Sequence, residues 1–172
     1  KRKDHISKDP LRFASCGRPT PWVHVALMDD DMNEVPDGEP GEICVRGPLL
    51  MAGYLNKPEE TEKVFEGGWL HTGDVAIKNP ADGFFRIVDR KKDMIVTGGF
   101  NVFPREIEDV ISTHPGVASC SVIGVPDQHW GEAVKAVIVP RPGATIDPAE
   151  IMALVREKKG AVQTPKTVDF VD

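Results

Sequence analysis

Apolar and polar positions alternate in short runs through the first half of the chain and group at helical spacing in parts of the second. Trp22-Val23-His24-Val25-Ala26-Leu27-Met28 predicts a strand, closed by the acidic turn Asp29-Asp30-Asp31. Pro36-Asp37-Gly38 and Pro40-Gly41 mark turns before the alternating Glu42-Ile43-Cys44-Val45-Arg46. One short helix interrupts the strands. Pro58 suits its first turn, Glu59 and Glu60 suit its positive end, and Val64-Phe65 precede a stop at Gly67-Gly68. Val75-Ala76-Ile77 and Phe84-Phe85-Arg86-Ile87-Val88 predict paired strands joined through Asn79-Pro80-Ala81-Asp82-Gly83. Many short strands with frequent turns imply a sheet or an open barrel.

From residue 93 onward strands alternate with helices. Pro104 opens a helix in which Ile107, Val110 and Ile111 share a face, and Pro115-Gly116 ends it. Residues 117–125 and 133–139 are strand candidates. Asp147-Pro148-Ala149-Glu150 has the form of a capping box. Ile151, Leu154 and Val155 supply the apolar stripe that follows, Lys158-Lys159 the basic last turn, and Gly160 the stop. Strand, helix, strand, strand, helix, strand is an α+β pattern. The charged run Asp89-Arg90-Lys91-Lys92-Asp93 lies where the two patterns meet, which places a domain junction there.

The 172 residues suffice for one large domain or two small ones. A net charge of −6 argues against a general nucleic-acid or anionic-membrane surface. The apolar runs are too short to span a bilayer as a helix. Lys1-Arg2-Lys3 is followed by Asp4 and His5 where a signal peptide needs an apolar core. Cys16, Cys44 and Cys120 form no CxxC pair, and the five histidines lack ligand spacing, so no metal site is expected. The thiols read as reduced and partly buried, and the localisation as cytoplasmic. The chain begins without Met and stops at Val171-Asp172 inside a predicted strand, as a fragment would.

Three segments exceed what packing needs. In Gly68-Trp69-Leu70-His71-Thr72-Gly73-Asp74, a carboxylate just after a Gly turn can accept both protons of a ribose cis-diol, or instead satisfy the amides of its own turn. His71 invites a general-base role but has no nucleophile nearby in sequence. Asp89-Arg90-Lys91-Lys92-Asp93 is either a site or a solvated turn. In Thr97-Gly98-Gly99-Phe100-Asn101-Val102-Phe103-Pro104, the paired glycines allow a ligand to lie against bare backbone, or serve a loop needing positive φ. No GxxxxGK[ST] phosphate loop occurs.

Taken in order, these segments resemble the signature of the adenylate-forming acyl-CoA synthetases. The resemblance runs through Gly68–Asp74, Gly83-Phe84-Phe85-Arg86-Ile87-Val88-Asp89-Arg90-Lys91-Lys92-Asp93-Met94-Ile95 and Gly98-Gly99-Phe100-Asn101-Val102-Phe103-Pro104-Arg105-Glu106-Ile107-Glu108. The upstream Gly41-Glu42-Ile43-Cys44-Val45-Arg46-Gly47 with Gly53-Tyr54 is similar to the motif that precedes them in that family. The Trp-Leu-His-Thr-Gly-Asp and Asp-Arg-Lys-Lys-Asp versions look most like fatty-acyl-CoA ligases.

The resemblance implies an α+β architecture: residues 1–90 as the β-rich, distorted barrel-like end of a large adenylating domain, and 91–172 as a small mobile C-terminal domain. It implies that Asp74 holds the ATP and AMP ribose hydroxyls, that Arg90 assists it, and that Lys92 is the hinge between adenylation and thioester formation. Gly98, Gly99 and Phe100 fall on the segment lining the pantetheine tunnel. Trp130 and Lys166 sit where some relatives contact the CoA nucleotide, although Val162 and Thr164 are not the aromatic and basic residues such a site favours. The implied ligands are a carboxylic acid, ATP, CoA and Mg2+. The phosphate loop, acyl pocket and Mg2+-binding motif are expected upstream of this chain, and the adenylation lysine past Asp172. The activity implied is an ATP-dependent acyl-CoA ligase for a fatty acid, with the fragment alone inactive. Alternatives are a ligase for aryl or alicyclic acids, an enzyme loading a carrier protein, and, in a different class, a non-catalytic nucleotide-binding module.

Overall fold

The computed structural model describes residues 10–171, so the expectation for Lys1–His5 lies outside the described residues. The elements in order are α1 (Pro10–Phe13), β1 (His24–Met28), β2 (Pro40–Arg46), α2 (Pro58–Val64), β3 (Leu70–Lys78), β4 (Phe85–Arg90), β5 (Ile95–Thr97), β6 (Phe100–Val102), α3 (Pro104–Ile111), β7 (Val117–Asp127), β8 (Gly131–Pro140), α4 (Pro148–Lys159) and β9 (Thr167–Phe170). Short 3₁₀ turns fill Glu66–Gly68 and Lys91–Asp93. The chain divides into two units, Lys1–Lys91 and Lys92–Asp172.

In the first unit β1 to β4 form an antiparallel meander in the order β1-β2-β3-β4. Alternating side chains give this sheet two apolar faces. Ala26, Met28 and Cys44 cluster on one, while Leu27, Ala76 and Phe85 cluster on the other. Trp69 packs beside the first cluster, with the Arg46 guanidinium 4.2 Å above its ring and His24 5.1 Å away. Helix α2 begins at Pro58 with Glu59 and Glu60 in its first turn, as predicted, but buries none of its residues.

The second unit places β6-β5-β8-β7 in one sheet, with β9 parallel to β8. Helix α4 is the crossover that a parallel β8–β9 pair requires. Ile95, Val102, Ile107, Ile111, Val122, Val134, Ile138, Ile151 and Val155 form the shared core. Ile107 and Ile111 come from one face of α3, and Ile151 and Val155 from one face of α4. The capping box is half formed: Asp147 accepts from the Ala149 amide at 2.8 Å, whereas the Glu150 carboxylate turns to His114, 3.5 Å away. Gly160 ends α4 at φ 85°.

The three thiols are free, Cys44 buried and Cys120 half-buried. Cys16 is exposed rather than partly buried, although its thiol donates to the Phe85 carbonyl at 3.2 Å. Among the described residues no helix is long and apolar enough to cross a membrane.

Candidate functional site

The sequence places Asp74 just after a Gly turn, yet most of Gly68–Asp74 lies inside β3. A bulge makes this possible. Cys44 pairs with His71 and Glu42 with Val75, so Thr72, Gly73 and Asp74 face a single residue of β2. Gly73 takes φ 72° there, which a side chain rarely adopts. The bulge sets Asp74 opposite Arg90, the last residue of β4. Arg90 Nε donates to Asp74 Oδ1 at 2.9 Å, and its Nη1 donates to the Thr72 carbonyl at 3.4 Å. The Thr72 hydroxyl accepts from the Asp74 amide at 3.1 Å and donates to the Ile43 carbonyl at 2.8 Å. Asp74 thus sits on a stretch of backbone fixed by the bulge and by Thr72, partly exposed, with Oδ1 on Arg90. Lys92 lies in the 3₁₀ turn two residues beyond Arg90 and is exposed.

Behind the bulge is a buried group that sequence reasoning missed. Glu42, only 6% exposed, accepts from the Gly73 amide through Oε1 at 3.0 Å. Its Oε2 lies 3.0 Å from both His71 Nδ1 and Lys91 Nζ. Burial raises the Glu42 pKa, but His71, Lys91 and the Gly73 amide together leave it below the usual carboxylate range. Lys91 also meets Asp30 at 2.8 Å, and these partners push its own pKa up against the effect of burial. His71 Nε2 lies 3.3 Å from the Glu66 carbonyl, so both ring nitrogens are engaged and no general-base role follows. Burial, with the Glu42 charge, pushes the Cys44 thiol up to about 11. The available signal was Glu42 standing two residues from Cys44 on one face of a strand.

Glu42, Cys44 and His71 bring potential ligand atoms within 4.8 Å of one another. They do not fit Mg2+, which takes oxygen ligands, and the Lys91 ammonium already holds the carboxylate oxygen. An open groove of about 810 Å³ lined by Arg12, Cys16, Arg18 and Phe84 includes neither Asp74 nor Arg90.

In the second unit, Gly98 and Gly99 form the β5–β6 hairpin turn at φ 57° and 81°. The Gly98 amide donates to the Trp130 carbonyl at 2.9 Å, and a Cβ on Gly98 would lie 2.6 Å from the indole. Asp127 accepts from the amides of Trp130 and His129, bonds that hold its carboxyl below the usual range. The Lys166 ammonium lies 5.5 Å from the Trp130 ring centroid. Gly98, Trp130 and Lys166 therefore share one surface. Phe100 is 59% exposed.

The first unit thus carries an acid–arginine pair on a β-meander, and the second carries a glycine hairpin against an exposed tryptophan; the class of protein that carries them is given by the comparisons. Residues 5–55 match the family model described as AMP-binding enzyme, and residues 106–172 match AMP-binding enzyme C-terminal domain. The chain belongs to the AMP-binding enzyme family. It is 57% identical over 171 residues to a medium/long-chain fatty-acid–CoA ligase, FadD8 of Mycobacterium tuberculosis, covering 95% of this chain and 30% of that protein. It is 46% identical over 161 residues to a feruloyl-CoA synthase of an Amycolatopsis species, covering 94% of this chain and 33% of the relative. The crystal structure of ATP-bound MatB from Rhodopseudomonas palustris is similar with a TM-score of 0.83 at 40% identity, over 92% of this chain and 32% of that one. The chain spans about a third of the length of the relatives it matches.

Proposed function

We propose that this chain is the C-terminal part of an ATP-dependent acyl-CoA ligase acting on a fatty acid. In this reading a carboxylate attacks the α-phosphorus of ATP to give acyl-adenylate and pyrophosphate. The CoA thiol then attacks the acyl carbon, releasing AMP and a proton. Asp74 accepts the ribose hydroxyls, and Arg90 orients Asp74 and reaches toward the nucleotide. The observation that carries the reading is the Asp74–Arg90 pair at 2.9 Å, set by a glycine bulge.

In this reading the end of the large domain runs through Lys91, one residue past the boundary expected at 90, and the small domain that follows turns about Lys92 between the two half-reactions. Gly98, Gly99 and Phe100 line the path of the CoA arm, and Trp130 with Lys166 receives its nucleotide, an indole face and an ammonium suiting an adenine and a phosphate. The fatty-acid preference is supported by the identity to the mycobacterial ligase. The aryl alternative is favoured by one observation, the 46% identity to a feruloyl-CoA synthase.

The test is a panel of fatty, aryl and alicyclic acids on the full-length protein, read as pyrophosphate release and as thioester. Acid-dependent release of both products with long-chain acids is expected. Nucleotide binding with no acid-dependent turnover would leave a non-catalytic module.

A further inference from the structure

Lys91 stands between two residues with opposed demands. Arg90 before it must keep its guanidinium on Asp74, while Lys92 after it is the residue about which the chain is to turn. Backbone pairing cannot separate them, because the β3–β4 ladder ends at Asp74 opposite Arg90. What continues past the ladder is a side-chain tether: Lys91 Nζ lies 3.0 Å from the buried Glu42 Oε2 and 2.8 Å from Asp30 Oδ1. The same carboxylate holds the Gly73 amide, one residue before Asp74. A single buried group therefore fixes the backbone on both sides of the Asp74–Arg90 pair, and the division of the chain into two units falls at the next bond, between Lys91 and Lys92.

We propose that Glu42 is a positioning residue which, by holding Gly73 and Lys91, keeps motion at Lys92 from reaching the Asp74–Arg90 pair. The inference rests on the ligase reading for the roles of Asp74, Arg90 and Lys92. The tether stiffens the strand side of the pivot, so the dihedral change is confined to Lys92 and beyond. An ammonium on a buried carboxylate suits this, since separating the two leaves an uncompensated charge in a poorly solvated place.

The experiment uses Lys91→Met, Lys91→Arg and Glu42→Gln in the full-length protein, with the two half-reactions measured separately. Lys91→Met is expected to slow transfer from preformed acyl-adenylate to CoA about tenfold while changing acid-dependent pyrophosphate exchange less than about twofold. Lys91→Arg, which restores a cation to Glu42, recovers transfer to within about threefold. Glu42→Gln slows transfer similarly and also raises the KM for ATP, because the Gly73 anchor weakens. Equal loss in both half-reactions with Lys91→Met, or no loss in either, overturns the proposal. Amide hydrogen exchange over residues 86–93 is read on the same proteins. It is expected to quicken about tenfold in Lys91→Met, and unchanged exchange overturns the tether whatever reaction the protein catalyses. An unsubstituted protein without acid-dependent exchange instead overturns the ligase reading, while the amide measurement still decides the tether.

Discussion

At Asp74 one carboxylate oxygen is committed to Arg90, and under the ligase reading the carboxylate also accepts the ribose diol. Asp74→Ala in the full-length protein removes that acceptor, and a hydrogen bond to a charged group is worth about 1.5–3 kcal/mol. The KM for ATP in pyrophosphate exchange should therefore rise about 10- to 100-fold with little change in the KM for CoA. Glu42 makes a prediction about pH. Its pKa is lowered in the fold, so its stabilising contribution is present above the unfolded carboxylate pKa and is lost as pH falls through the lower folded value. Denaturant midpoints taken from pH 7 downward should fall on acidification below the ordinary glutamate value, and less steeply in Glu42→Gln. Of these two residues, only Asp74 was legible as a candidate in the sequence. Glu42 acquires its meaning from His71 and Lys91, which lie 29 and 49 residues away, and a cross-strand register is needed to bring them together.

Among the elements, the helices announced themselves best. Pro58, Pro104 and Pro148 each stand at a helix start, and the apolar spacing selected the buried faces of α3 and α4. Strand β3 was cut short because Gly68, Gly73 and the polar residues between them carry turn chemistry. The bulge reconciles that chemistry with the ladder, and nothing local encodes it, since it depends on the residue of β2 opposite. The sequence of Gly98-Gly99 fits either ligand approach or a backbone need, and the structure shows the second directly: both glycines have positive φ. Gly98→Ala should destabilise the second unit by at least about 1–2 kcal/mol from left-handed backbone alone. The clash with the Trp130 ring adds to this, so thermal unfolding of the variant should begin lower than that of Gly99→Ala, where a Cβ meets nothing within 4 Å.

At the scale of the whole molecule, each unit encloses its own core, a large one around α3 and α4 and two smaller ones on the faces of the β1–β4 sheet. Under the ligase reading the chain holds the ribose acid and the CoA-facing hairpin but neither phosphate loop nor acyl pocket, whose positioning and charge stabilisation supply most of the rate. The purified 172-residue chain should therefore form no acyl-CoA above a blank, measured as thioester from acid, ATP and CoA. The placement of the tryptophans has a practical consequence. Trp69, held between Arg46 and His24, belongs to the first unit, and Trp130, beside His129, belongs to the second, while Trp22 is 73% exposed. With Trp22 replaced by Phe, the molecule carries one indole fluorophore per unit. Removing Trp69 or Trp130 in turn from that variant leaves a single fluorophore, so the melting of each half can be followed by its own intrinsic emission without any attached dye.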